Sequence, residues 1–230
     1  MRILVINPNT TASMTGKIGA AARRVAAAGT EIVARNPASG PASIQGREDG
    51  EAALPGLFAE LGKAEGFDAI IIACFDDTGL YEARRRASVP VIGIGEAAYH
   101  AATLVAGRFS VVTTLSVSIP VLEENIGRYG LASRCGRVRA SNVPGLELER
   151  PGSTARETIS DEIASALLHD GSDAIVLGCA GMADLAADLS VRHRVPVVDG
   201  VAAAVKLAEA LVTLGLTTSQ AGPFARNLAA

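Results

Sequence analysis

Tryptophan is absent from the 230 residues, and aromatic residues supply only 3% of them. A binding site in this chain therefore has little to stack against a large aryl group. No apolar run reaches the ~18 residues of a membrane-spanning helix, so no membrane partner is expected. The N-terminus runs straight into Ile3-Leu4-Val5-Ile6. It lacks a basic segment, a long apolar stretch and a small-residue cleavage site, so the expectation is a cytoplasmic protein with no secretory leader. An excess of positive charge is missing too: 21 Lys and Arg stand against 24 Asp and Glu, a net charge of −3. Arg84-Arg85-Arg86 is the one cationic run, and in a helical stretch it reads as a solvated face, so no nucleic-acid partner is expected.

Side chains that carry common chemistries are also scarce. The three histidines, His100, His169 and His193, have no metal-ligand spacing with one another or with the cysteines, so no metal is expected. No Gly-x-Ser-x-Gly occurs, which removes the nucleophile elbow of a serine hydrolase. Gly93-Ile94-Gly95-Glu96-Ala97-Ala98 imitates a dinucleotide fingerprint but follows the fourth strand, and Thr11 stands where a phosphate loop needs its first glycine before Thr15-Gly16-Lys17. No cofactor is expected. Cysteine is limited to three residues. An odd count in a chain of this size, in a reducing compartment, points to free thiols.

What is present is a duplication. Gly66-Phe67-Asp68-Ala69-Ile70-Ile71-Ile72-Ala73-Cys74 returns as Gly171-Ser172-Asp173-Ala174-Ile175-Val176-Leu177-Gly178-Cys179, and both copies continue to Val-Pro-Val, at 89–91 and 195–197. Arg2–Ile6 likewise aligns with Arg108–Val112. Short β-branched runs alternate with Ala-rich stretches, the signature of β-α units on a parallel sheet. Strands are expected at 3–6, 31–34, 69–73, 91–94, 110–113, 138–140, 174–177 and 197–198. Helices are expected at 11–28, 48–65, 80–86, 96–105, 117–129, 153–169, 182–193 and 201–214. The fold class is α/β: two pseudo-twofold-related lobes, each a roughly four-stranded parallel sheet flanked by helices, with the active site between them. The first lobe takes 1–96 plus 200–230, because the last helix crosses back to cover it; the second takes 97–199.

Ligands of parallel α/β sheets gather outside the carboxyl ends of the strands. That rule collects Asn7, Asn9 and Thr10 after the first strand, Cys74 after the third, Thr113 and Thr114 after the fifth and Cys179 after the seventh. A lone cysteine in an apolar strand is ordinarily a small hydrophobe. Two at equivalent strand ends would bring one thiol from each half to a shared ligand, the arrangement a two-base proton transfer needs. Helices that follow these loops would lower the thiol pKa values. Cys135 has no repeat partner and reads as packing. The loop Asn7–Ser13 offers helix-capping groups as well as polar contacts, and Ser43 is balanced between a loop role and a binding role.

The stretches Ile6-Asn7-Pro8-Asn9-Thr10, Ala73-Cys74-Phe75-Asp76-Asp77-Thr78-Gly79-Leu80, Val112-Thr113-Thr114 and Leu177-Gly178-Cys179-Ala180-Gly181-Met182, with Val195–Val201, resemble the hydantoin and allantoin racemases of the aspartate/glutamate racemase superfamily. The likeness runs over essentially the whole chain. It implies a cofactor-independent racemase and homo-oligomer acting on a small molecule, with Cys74 and Cys179 as acid and base and Asn9, Ser43, Phe75, Thr113, Thr114 and Gly181 around the ring. The family loop after the first cysteine commonly reads Phe-Gly-Asp-Pro-Gly-Leu, whereas this chain has Asp76 and Thr78 in place of the Gly and the Pro. Relatives acting on free aspartate or glutamate carry Cys-Asn-Thr, which is missing after both cysteines, and the arylmalonate decarboxylases keep only one of the two thiols. A maleate isomerase, an amino-acid racemase and a non-enzymatic small-molecule binding module are the alternatives.

Overall fold

In a computed structural model that describes residues 1–144, 147, 150 and 153–225, the chain forms two four-stranded parallel sheets. The final five residues of the 200–230 stretch lie outside the described residues. The first half runs β1 (Arg2–Ile6), α1 (Ala12–Val25), β2 (Glu31–Arg35), α2 (Arg47–Leu61), β3 (Ala69–Ile72), α3 (Leu80–Arg86), β4 (Val91–Gly93) and α4 (Ile94–Val105). The second runs β5 (Phe109–Thr113), α5 (Ile119–Arg128), β6 (Cys135–Ala140), α6 (Ala155–His169), β7 (Ala174–Gly178), α7 (Ala186–His193), β8 (Val197–Asp199) and α8 (Gly200–Thr213).

Strand order is β2-β1-β3-β4 in one sheet and β6-β5-β7-β8 in the other. The duplication extends to register: Ile3 pairs with Ala69 as Phe109 pairs with Ala174, and Ile70 pairs with Val91 as Ile175 pairs with Val197. Because side chains alternate across a strand, each sheet sorts its apolar residues onto two faces. Ile3, Val5 and Ile71 of the first sheet and Val111 and Val176 of the second join one inner core with residues of α1, α4 and α8. Leu4, Ile6, Ile70 and Ile72 turn outward onto α2 and α3, and Val112, Ile175 and Leu177 turn outward onto α6 and α7. Each fully buried aliphatic side chain contributes about 1.5–3 kcal/mol. The continuous apolar runs of β3 and β7 thus record strands covered on both sides.

Helix α8 packs against α1 and α4 and contacts β3 and β4. Its N-terminus is capped by Asp199, whose carboxylate accepts from the N–H groups of Val201 and Ala202 at 3.0 and 2.9 Å. Four of the chain's eight aromatic residues meet between the halves: Tyr99 lies edge-on to Phe75, stacked on Phe109 and tilted against Tyr129. Strand β6 begins at Cys135, earlier than the sequence pattern suggests. Among the described residues no helix is long and apolar enough to cross a membrane.

Candidate active site

The carboxyl ends of β1, β3, β5 and β7 open on one cavity. Cys74 and Cys179 both line it, one from each sheet, and so do Asn9, Ser43, Phe75, Thr113 and Thr114. Gly181 does not line it; this residue sits on a separate cavity with Lys17 and Arg24 of α1. All three cysteines are free thiols, and no group of His, Cys, Asp and Glu suited to a metal occurs among the described residues.

Local chemistry fixes each wall. Asn7 donates through Nδ2 to Asn9 Oδ1 and to Thr15 Oγ1, and Asn9 Oδ1 accepts the Thr11 N–H at 3.0 Å. The hydroxyls of Thr10 and Thr11 donate to the carbonyls of Pro41 and Ala42, which brings Ser43 to the cavity. Thr11 therefore ties two loops together instead of capping α1. Across the cavity, the Thr113 hydroxyl donates to the Gly178 carbonyl at 2.8 Å. A side chain at 178 would stand 2.7 Å from Thr113 Cβ, so glycine is what lets β5 and β7 deliver Thr113 and Cys179 side by side.

The loop after Cys74 is clamped from both halves. Asp77 adopts a left-handed backbone, with φ of 49°, a conformation Asp tolerates better than most residues. Its carboxylate accepts the N–H groups of Gly95 and Glu96, at the start of α4, at 3.0 and 2.7 Å, and the Tyr129 hydroxyl at 2.8 Å. Burial nevertheless pushes the Asp77 carboxyl up to about 7. Asn125 of α5 adds a hydrogen bond to the Asp76 carbonyl at 2.8 Å. The glycines of the dinucleotide-like run have a local explanation here: a Cβ at Gly93 would lie 2.1 Å from Asp77 Oδ1, and one at Gly95 would lie 2.5 Å from the Phe75 carbonyl.

Both thiols are held above the ordinary thiol range, Cys74 by burial and then by the negative charge of Asp76, Cys179 by burial. The Thr78 hydroxyl donates to Cys74 Sγ at 3.5 Å, and the Gly181 N–H donates to Cys179, each favouring the thiolate. The helix N-termini expected to lower these pKa values are not in place. Cys179 is followed by a short 3-10 turn, Ala180–Met182, and α3 starts six positions beyond Cys74, so desolvation prevails. Cys135, pushed up to about 11 by burial, lies in β6 away from the cavity wall.

Sequence reasoning passed over Asp76 and Ser118 as cavity residues. Asp76 is the one charged side chain lining this cavity among the described residues. It was visible only as a departure from the family loop, and Ser118 carried no signal because it enters from the turn ahead of α5.

The model of the Asp/Glu/Hydantoin racemase family matches residues 3–208, and the chain belongs to this family of isomerases. More particularly, it is 47% identical over 227 residues to the hydantoin racemase of Rhizobium meliloti, covering 98% of this chain and 94% of that protein. It superimposes on the allantoin racemase from Klebsiella pneumoniae with a TM-score of 0.96 at 48% identity, covering 100% of this chain and 95% of that one. For the allantoin racemase from Pseudomonas fluorescens the TM-score is 0.97 at 41% identity, covering 100% and 98%.

Proposed function

We propose that the protein racemises 5-substituted hydantoins, allantoin included, by two-base proton transfer between Cys74 and Cys179. The observation that carries this reading is the placement of equivalent cysteines of a duplicated unit on one cavity that no Lys, Arg or His lines among the described residues. One thiolate removes the C5 proton, and the C5–H electron pair moves into the adjoining ring carbonyl as an enolate. The opposed thiol then delivers its proton to the other face of C5, so the carbon is inverted and the two sulfurs exchange protonation states. Which cysteine starts depends on the enantiomer bound.

Donors aimed at the enolate oxygen supply much of the rate in such reactions. Thr113 and Gly181 already direct their donors to the Gly178 carbonyl and to Cys179. We therefore assign this role to the Thr114 hydroxyl and the backbone N–H of Ala180, both on the cavity wall. The lack of a lining cation also disfavours maleate and free amino acids, whose carboxylates would gain no charge partner there, and Asp76 would repel them. A cytoplasmic homo-oligomer completes the proposal; light scattering on the purified protein tests the assembly, and free thiols suit a reducing compartment.

Racemisation in deuterium oxide is the direct test. Each inversion should place deuterium at C5, and Cys74→Ser and Cys179→Ser should each nearly abolish inversion. Full turnover in either variant would remove the two-base scheme. Absence of racemisation in the parent protein, with ligand binding insensitive to both replacements, would favour a binding module.

A further inference from the structure

Beside the thiol cavity lies a second one, between the N-terminal end of α2 and α5. Asp76 lines both and so stands at their junction. The Gly46 N–H and the Ser118 hydroxyl face this carboxyl and favour its ionised form. Oδ2, however, is buried and accepts no hydrogen bond. The nearby cations are engaged elsewhere, Arg47 and Arg128 both pairing with Glu124 at 2.5 and 2.7 Å. Burial pushes the Asp76 carboxyl up to about 7, as befits an acceptor left short of partners.

A buried acceptor without a partner is costly, and a ligand that supplies a donor recovers that cost. Sites built to hydrogen-bond a substrate N–H discriminate strongly against an analogue lacking it. On the racemase reading above, the ring lies between the thiols, and a C5 substituent directed at the junction of the two cavities would meet Asp76. We infer that Asp76 is a specificity-determining residue that selects C5 substituents bearing N–H donors, of which the ureido group is the compact example, over alkyl groups of the same size.

Allantoin and 5-isobutylhydantoin make the comparison, since their substituents have equal numbers of non-hydrogen atoms. The quantity read is the ratio of their kcat/KM values, followed in the parent, Asp76→Ala and Asp76→Asn proteins. Comparing ratios between proteins cancels the intrinsic difference in C5 acidity. The parent should favour allantoin, and Asp76→Ala should lower the ratio about tenfold or more, with Asp76→Asn between them because its amide oxygen still accepts. A ratio unchanged within about twofold in Asp76→Ala, or a parent that favours the isobutyl compound, would overturn the inference. Dissociation constants of both compounds by calorimetry provide a readout independent of turnover. If the parent racemises neither compound, the racemase reading fails, and the binding ratio alone decides the role of Asp76.

Discussion

The Tyr129 hydroxyl donates to Asp77 Oδ2 at 2.8 Å, joining the end of α5 in one half to the loop that follows Cys74 in the other. The same carboxylate receives the N–H groups of Gly95 and Glu96 in the first turn of α4. One residue thus caps a helix, holds a left-handed turn and accepts a bond from the opposite half, while setting where the first thiol's loop lies.

Tyr129→Phe keeps the ring but removes that donor. Loss of a hydrogen bond to a carboxylate should cost about 1–3 kcal/mol in chemical denaturation. Because the thiol loop loses its clamp and the cavity wall stays chemically intact, kcat should fall while KM changes little, which steady-state kinetics will show.

Gly93→Ala introduces a Cβ 2.1 Å from Asp77 Oδ1, and it should destabilise the fold by about 1–3 kcal/mol through overpacking. Gly16→Ala is the contrasting case. Its methyl would point into open space on the exposed side of α1, with no neighbouring atom within 4 Å, so it should stabilise by about 0.5–1 kcal/mol. Thermal unfolding of the pair separates space from backbone entropy.

Tyr99 is fully enclosed and its hydroxyl has no hydrogen-bond partner. Tyr99→Phe retains the contacts with Phe75, Phe109 and Tyr129, so it should leave stability unchanged or raise it by about 1 kcal/mol. A lowered unfolding midpoint would show that the hydroxyl has a stabilising role.

The pH dependence follows from the raised thiols. Burial favours the neutral forms, and the proposed two-base scheme needs one thiolate, so kcat/KM should climb with pH on a limb centred above the ordinary ~8.5 of a thiol. Asp76 is ionised over that range and opposes the Cys74 thiolate. Asp76→Asn should therefore move the limb to lower pH, and a pH–rate profile of the two proteins checks the direction.

All eight strands and the doubled plan were legible because parallel strands covered on both faces must be written as apolar runs, and a repeat exposes itself by comparison. Helix ends were less legible. The stretch read as 182–193 divides into a 3-10 turn and a shorter α7, a break set by how the Cys179 loop folds back, which no periodicity records. Cysteine positions could be read from the strand ends, but their ionisation could not. The expected helix N-termini were replaced by a loop and a turn, and desolvation is a property of the assembled cavity. The motif sets Gly181 on the ring, yet it lines the neighbouring cavity and turns its N–H to Cys179. Asp76 escaped notice as a cavity residue because its significance lies in what surrounds it.

The inner faces of the two sheets belong to one apolar core with α1, α4 and α8. Prying the halves apart would hydrate many aliphatic side chains at about 1.5–3 kcal/mol each, more than docking a small heterocycle returns. Any opening needed to admit a guest would therefore cost least at the rim, where Gly46 faces Val117 and Arg47 reaches Glu124. Turnover speed would then be tuned by substitutions along that seam, far more readily than by any change in the buried layers.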